Sequence, residues 1–159
     1  MDAAIVAVAQ YLYLVPVVLF VLYGLATRRK KEFFLFSLFV LPTSYLLGLL
    51  AGHLFYDPRP FVADPSVIPL FSHAPDNGFP SDHALLTGTL AAIVSAFNAP
   101  LAALLWLLAL LVGGARVLAH VHHALDIAGS FVIAAFSAIA VGALFFRSRK
   151  APPPENAGA

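Results

Sequence analysis

Five apolar runs separated by short polar breaks constrain this chain more than any other feature. They cover about residues 3–26, 33–55, 83–97, 101–119 and 124–146. Of the 159 residues, 61% are hydrophobic and 11% charged, far from the roughly half and quarter of soluble domains. At ~20 residues per membrane-crossing helix, about 100 apolar residues make at most five spans and leave no room for a second folded domain. The expectation is an all-α polytopic helical bundle of about five transmembrane spans, with residues 1–150 as a single integral-membrane domain. Residues 151–159, rich in proline and alanine, read as a disordered tail. Cysteine is absent, which excludes disulfide scaffolds and thiol chemistry. A net charge of +1 gives no reason to expect nucleic acid as a partner.

The first run carries its positive charges after the apolar stretch, the reverse of a signal peptide, and is read as a retained span. Pro16 within it predicts a kink that neighbouring helices can absorb. The second run is interrupted by Pro42 and Gly48, and Asn98-Ala99-Pro100 marks a turn between the third and fourth. Lysine and arginine set orientation. With the loop at 27–32 cytoplasmic, five alternating spans leave Arg28, Arg29, Lys30, Lys31, Arg147, Arg149 and Lys150 inside, seven of nine basic residues. Arg59, Arg116 and all six histidines then lie outside, so the expected localisation is the cell membrane with the carboxyl terminus cytoplasmic.

The outer polar residues gather in three places. The proline-rich stretch 56–80 opens with Asp57-Pro58-Arg59-Pro60 and closes on Pro80-Ser81-Asp82-His83. The third cluster runs from Arg116 through His120, His122 and His123 to Asp126. An arginine facing lipid is costly, so Arg116 is expected to face protein or water; the plain alternative is a snorkelling side chain. Ser81 and Asp82 are good helix caps, and Pro80 suits a first turn. Free N–H groups at such a helix start also bind phosphate oxygens. His122 and Asp126 are four apart, so a helix opening near 122 puts them on one face. The carboxylate can then fix the imidazole tautomer and leave one nitrogen free as a base or nucleophile. His83, His120, His122, His123 and Asp126 also offer zinc-ligand chemistry. Adjacent His122 and His123 would point apart on a helix, however, so no metal and no cofactor are expected.

Taken in order, these clusters resemble the type 2 phosphatidic acid phosphatase superfamily, whose signature is Lys-x6-Arg-Pro, Pro-Ser-Gly-His and Ser-Arg-x5-His-x3-Asp. Here the matches are Arg59-Pro60, Pro80-Ser81-Asp82-His83 and Arg116-x5-His122-x3-Asp126. Gly52 stands where the family has lysine, with His53 beside it as a substitute cation, and Ala115 replaces the serine. Asp82 in place of glycine resembles the bacitracin-resistance branch of undecaprenyl pyrophosphate phosphatases. Members of that branch commonly carry one more span; this chain would lack the first of six.

The resemblance implies an extracytoplasmic active site on a lipid phosphate. In it, His122 attacks phosphorus to form a phosphohistidine, Asp126 orients it, and His83 protonates the leaving oxygen and later activates water. Arg59, Arg116 and Ser81, with His53 for the missing lysine, would hold the phosphate oxygens. The substrate implied is undecaprenyl pyrophosphate, cleaved to the monophosphate. The alternatives are a diacyl lipid phosphatase acting on phosphatidate or phosphatidylglycerol phosphate, and a non-catalytic protein that only binds lipid phosphate or transports.

Overall fold

The computed structural model describes residues 1–147; the tail at 151–159, with Arg149 and Lys150, lies outside the described residues. Those described form α1 (Asp2–Tyr11), α2 (Leu14–Ala26), α3 (Lys30–Leu54), α4 (Pro60–Ala63), α5 (Asp82–Ser95), α6 (Ala99–Leu118) and α7 (Ala124–Arg147). No strand occurs among them beyond a single bridge pairing Pro58 with Asn77. The protein is a polytopic helical membrane bundle. Four helical segments, Asp2–Ala26, Lys30–Leu54, Ala99–Leu118 and Ala124–Arg147, are long and apolar enough to cross a bilayer.

The expected fifth span is the exception. With 14 residues, α5 is about 21 Å long at 1.5 Å per residue, short of a full crossing. It compensates by position. Ten of its residues are buried, and it packs against α2, α3, α6 and α7, so little of it meets lipid. Non-helical backbone is tolerated at membrane depth where protein encloses it. The chain leading into α5 meets that condition, with Ser81 and Gly78 buried.

The first run is kinked, as expected, with Leu12 and Tyr13 keeping helical dihedrals between α1 and α2. Pro16 is the cause: it has no N–H for the carbonyl of Leu12, and its ring crowds that oxygen. Leu12 instead accepts from Val15 N–H at 3.0 Å, a tighter i→i+3 turn. Pro42, by contrast, sits inside an unbroken α3. The Asn98 side chain caps α6 by accepting from Leu101 N–H at 3.0 Å, with proline in the first turn.

One core of the bundle is an aromatic cluster in which Phe33 and Phe36, each 1% exposed, pack with Val40, Ile93 and Leu105. Buried hydroxyls are satisfied locally or across helices. Ser44 on α3 meets Thr89 on α5 at 2.7 Å, and Ser130 on α7 donates to the Ser81 carbonyl at 3.1 Å. Such small polar contacts hold helices together where lipid removes the hydrophobic drive between them. The outer surfaces are apolar, with Leu46, Leu107, Val132 and Ile139 all well exposed, as a lipid-facing exterior requires.

Gly113 and Gly114 in α6 separate close packing from mere sequence pattern. A Cβ at Gly113 would collide with Ile127 of α7, whereas one at Gly114 would meet nothing within 4 Å. Gly113→Ala is therefore expected to destabilise the protein by about 1–3 kcal/mol through overpacking. Gly114→Ala should leave stability unchanged or slightly raised, since alanine is the better helix former. Thermal unfolding of the two variants in one detergent checks the contrast.

Candidate active site

The site is assembled at one end of the bundle from the loop between α3 and α5, the start of α5, and the turn between α6 and α7. That turn is built by a Schellman motif. Val121 N–H bonds to Arg116 O at 3.2 Å and His120 N–H to Val117 O at 3.0 Å, with His120 at φ 61°, a position that usually takes glycine. The reversal carries His122 inward and leaves His120 exposed, its ring against Ile68 O at 3.2 Å.

His122 is not on a helix, contrary to expectation, because α7 begins at Ala124. It still meets Asp126, Nδ1 to Oδ2 at 3.2 Å. The same carboxylate oxygen accepts from the His123 backbone N–H at 2.8 Å, as the N3 residue of a capping box does. Asp126 thus caps its helix and orients His122 with one atom. Both side chains are buried, at 0% and 3% exposure. Burial pushes the His122 pKa below its ordinary 6.5, against the opposing hydrogen bond from Asp126. The imidazole is neutral at pH 7, with Nδ1–H toward Asp126 and the Nε2 lone pair free to face the site.

Arg59 reaches that lone pair. Its Nη1 lies 3.2 Å from His122 Nε2 and donates to Val121 O at 2.7 Å, while Nε donates to Asp76 at 2.7 Å. Arg116 projects from the last turn of α6, buried rather than snorkelling, at 3% exposure. Its Nη1 donates to Ala9 O of α1 at 3.3 Å, its Nη2 meets His73 Nε2 at 3.0 Å, and its buried Nε has no partner. Arg116 and His83 share the wall of one cavity, and the His73 ring stands 6.1 Å from that of His122. Ser81 is fully buried with its Oγ unpartnered. It is the N-cap of α5; Pro80 precedes the cap instead of opening the first turn. Arg59, Arg116, His83, His122, Asp126 and Ser81 are therefore drawn together.

His53 is not brought in. It lies exposed at the C-terminal end of α3. Its neighbour Gly52 explains the missing lysine. A Cβ at position 52 would stand 2.9 Å from the Phe79 carbonyl oxygen and 3.3 Å from Pro80 Cδ. Asn77 occupies this region. Its Nδ2 donates to Gly52 O at 2.8 Å and Phe55 O at 3.0 Å, while Oδ1 accepts from the backbone N–H of Asp57 at 2.9 Å and of Phe79 at 3.0 Å. One amide side chain thus clasps both ends of the loop, holding the Phe79 carbonyl where a side chain at 52 would have to displace it.

Five residues near the site went unassigned in the sequence: Ala9, Tyr13, His73, Asp76 and Asn77. The Tyr13 ring packs edge-on against His83 at 4.7 Å, so the kink in the first run supplies support to both His83 and Arg116. The only available signal was the proline that causes that kink. Ligand atoms able to hold a metal lie together, among the described residues, at Asp57, His123 and Asp126, within 4.8 Å of one another. His123 Nδ1 stands 3.3 Å from Asp57 Oδ2 without a hydrogen bond to it, and His122 is not of the set.

The lysine argument yields a direct test. Gly52→Lys, which restores the family residue, is expected to lower stability by about 1–3 kcal/mol by displacing Phe79 and Pro80, read as a fall in Tm.

Comparison with known proteins agrees with this geometry. The PAP2 superfamily pattern matches residues 33–150. The bacitracin transport permease protein BcrC of Bacillus licheniformis is 29% identical over 84% of this chain and 66% of its own length. The undecaprenyl-diphosphatase BcrC of Bacillus subtilis (strain 168) is 32% identical over 92% of this chain and 74% of its own. The chain therefore spans about two thirds to three quarters of these relatives. The crystal structure of Aquifex aeolicus LpxE superposes with a TM-score of 0.73 at 25% identity, covering 89% of this chain and 85% of that one. With the Arg59-Pro60, Ser81-x-His83 and Arg116-x5-His122-x3-Asp126 residues in one site, this chain belongs to the PAP2 superfamily.

Proposed function

We propose that the protein is an integral-membrane phosphatase that hydrolyses undecaprenyl pyrophosphate to undecaprenyl phosphate and inorganic phosphate at the extracytoplasmic face. The observation that carries this reading is an imbalance of buried charge. Two guanidinium groups, 5% and 3% exposed, face His122 and His83 against a single fully buried carboxylate, Asp126, and among the described residues the one carboxylate bonded to either is Asp76, itself 62% exposed. Buried charge is costly unless paired, so the site favours an anion with several oxygens. The choice of a prenyl diphosphate over a diacyl lipid phosphate rests on similarity to the undecaprenyl-diphosphatase of Bacillus subtilis.

In this mechanism a phosphoryl oxygen takes over the Arg59 N–H that otherwise caps His122 Nε2, freeing the lone pair. Nε2 attacks phosphorus in line, the bond to the leaving oxygen breaks, and His83, which takes up a proton when the phosphate anion binds beside it, supplies that oxygen's proton. Asp126 stabilises the cationic ring that forms. His83, now neutral, takes a proton from water as it attacks the phosphohistidine; the N–P bond breaks and its electron pair returns to Nε2. Arg59, Arg116 and Ser81 hold the spreading negative charge, the main demand of phosphoryl transfer. Seven basic residues at 28–31 and 147–150 favour a cytoplasmic placement for the opposite end.

Phosphate release by purified protein is expected from undecaprenyl pyrophosphate in preference to phosphatidate and phosphatidylglycerol phosphate, and to persist in EDTA. His122→Ala and His83→Ala should each abolish it while leaving Tm near that of the parent. Loss in EDTA with recovery on adding zinc would point to the Asp57–His123–Asp126 set and overturn the metal-free mechanism. Since burial lowers the His122 pKa, protonation removes the nucleophile only below pH 6.5. The acid limb of kcat/KM assigned to His122 should therefore fall below that pH; a limb well above it would contradict the assignment.

A further inference from the structure

Beyond the motif residues lies a cavity of about 320 Å³, walled by Gln10 and Tyr11 at the end of α1, Phe71, Ser72 and His73 of the loop, and His83 and Arg116. Five of these seven lie outside the three motifs, and Gln10 and Tyr11 precede the stretch matched by the family pattern. All but Phe71 carry a hydrogen-bonding side chain. Arg116 is 3% exposed, and its unpartnered Nε is an unsatisfied donor in this wall. We infer that this cavity is a second phosphate subsite, in which His73 and Gln10 hold the leaving phosphate of a diphosphate substrate while Arg59, Ser81 and His122 act on the terminal one. The inference rests on the lipid-phosphatase reading above and narrows its substrate class to diphosphates.

The geometry divides the site into two halves. Arg59 and His122 are joined at 3.2 Å, Arg116 and His73 at 3.0 Å, and the two histidine rings are 6.1 Å apart. His83 belongs to the second wall, where a group that protonates the bridging oxygen must be. Because a guanidinium only donates, His73 Nε2 accepts and Nδ1 bears the hydrogen. That hydrogen makes at most a long contact to the Ala74 carbonyl, 3.4 Å away, so it can be redirected to a phosphate oxygen at little loss. Burial, with Arg59 nearby, keeps His73 neutral at pH 7. An arriving phosphate favours its cation, adding charge only when the second phosphate is present. A monophosphate offers this wall only its leaving ester oxygen, at His83, and no second phosphate for His73 and Gln10.

The test compares kcat/KM for farnesyl diphosphate and farnesyl monophosphate, which share one tail, in the full chain and in His73→Ala, His73→Gln and Gln10→Ala. Losing one hydrogen bond to a charged group is expected to cut the diphosphate-to-monophosphate preference about 10-fold or more. Inorganic pyrophosphate should weaken relative to inorganic phosphate as a competitive inhibitor by a similar factor. Equal losses on both substrates in every folded variant would mean a structural role and overturn the inference. So would an unchanged preference. If His73→Ala fails to fold, the ratio in His73→Gln and Gln10→Ala decides. A parent protein that hydrolyses the monophosphate as well as the diphosphate refutes the subsite but not the phosphatase; one that hydrolyses neither refutes the phosphatase reading itself.

Discussion

Arg59 is the group on which the rest of the site depends. Its guanidinium is buried and joins its own segment to two others: the loop at Asp76, and the turn after α6 through the Val121 carbonyl and the His122 imidazole. A buried cation is held only if its donors are satisfied, so those partners fix the loop against the turn. Asn77 does the complementary work from the neutral side, tying the loop's two ends to each other and to α3. Helices place His83, Arg116 and Asp126, but Arg59 and His122 lie outside them. The bundle supplies rigid ends, and buried hydrogen bonds between loops set the geometry.

The two arginines are supported unlike one another. Arg59 has a carboxylate, though an exposed one. Arg116 rests on the Ala9 carbonyl near the C-terminal end of α1, where the helix dipole favours a cation. That end lies at the kink Pro16 puts in the first run, which also delivers Tyr13 to His83. A residue that reads as a flaw in a span is thus part of how the site is held. Neutral support for Arg116 leaves its charge uncompensated, and the proposed reaction draws on that excess to bind and stabilise a phosphoryl group.

Much of this was legible in advance, and the omissions share a cause. The apolar runs located α3, α6 and α7 to within a few residues, because lipid demands continuous apolar helix. Arg59, Ser81, His83, Arg116, His122 and Asp126 were found by short motifs whose spacing is local. His73, Asn77 and Ala9 carry no local signal; they matter through contacts spanning 20 to 107 residues, which no pattern in one sequence encodes. Gly52 was read as a lost cation because charge is visible in a sequence, whereas the approach of the Phe79 carbonyl is not. His122 was expected on a helix, since i,i+4 spacing implies one; a capping box achieves the same contact from outside it.

The central claim is that His122 is the nucleophile, and trapping the covalent state tests it most directly. Substrate labelled with ³²P in its terminal phosphate, mixed rapidly with the protein and quenched in alkali, should leave base-stable, acid-labile label on the chain. Peptide mapping should place that label on His122, and His122→Ala should lose it. Turnover with no label in the protein, or label on His83 or His73, would contradict the account.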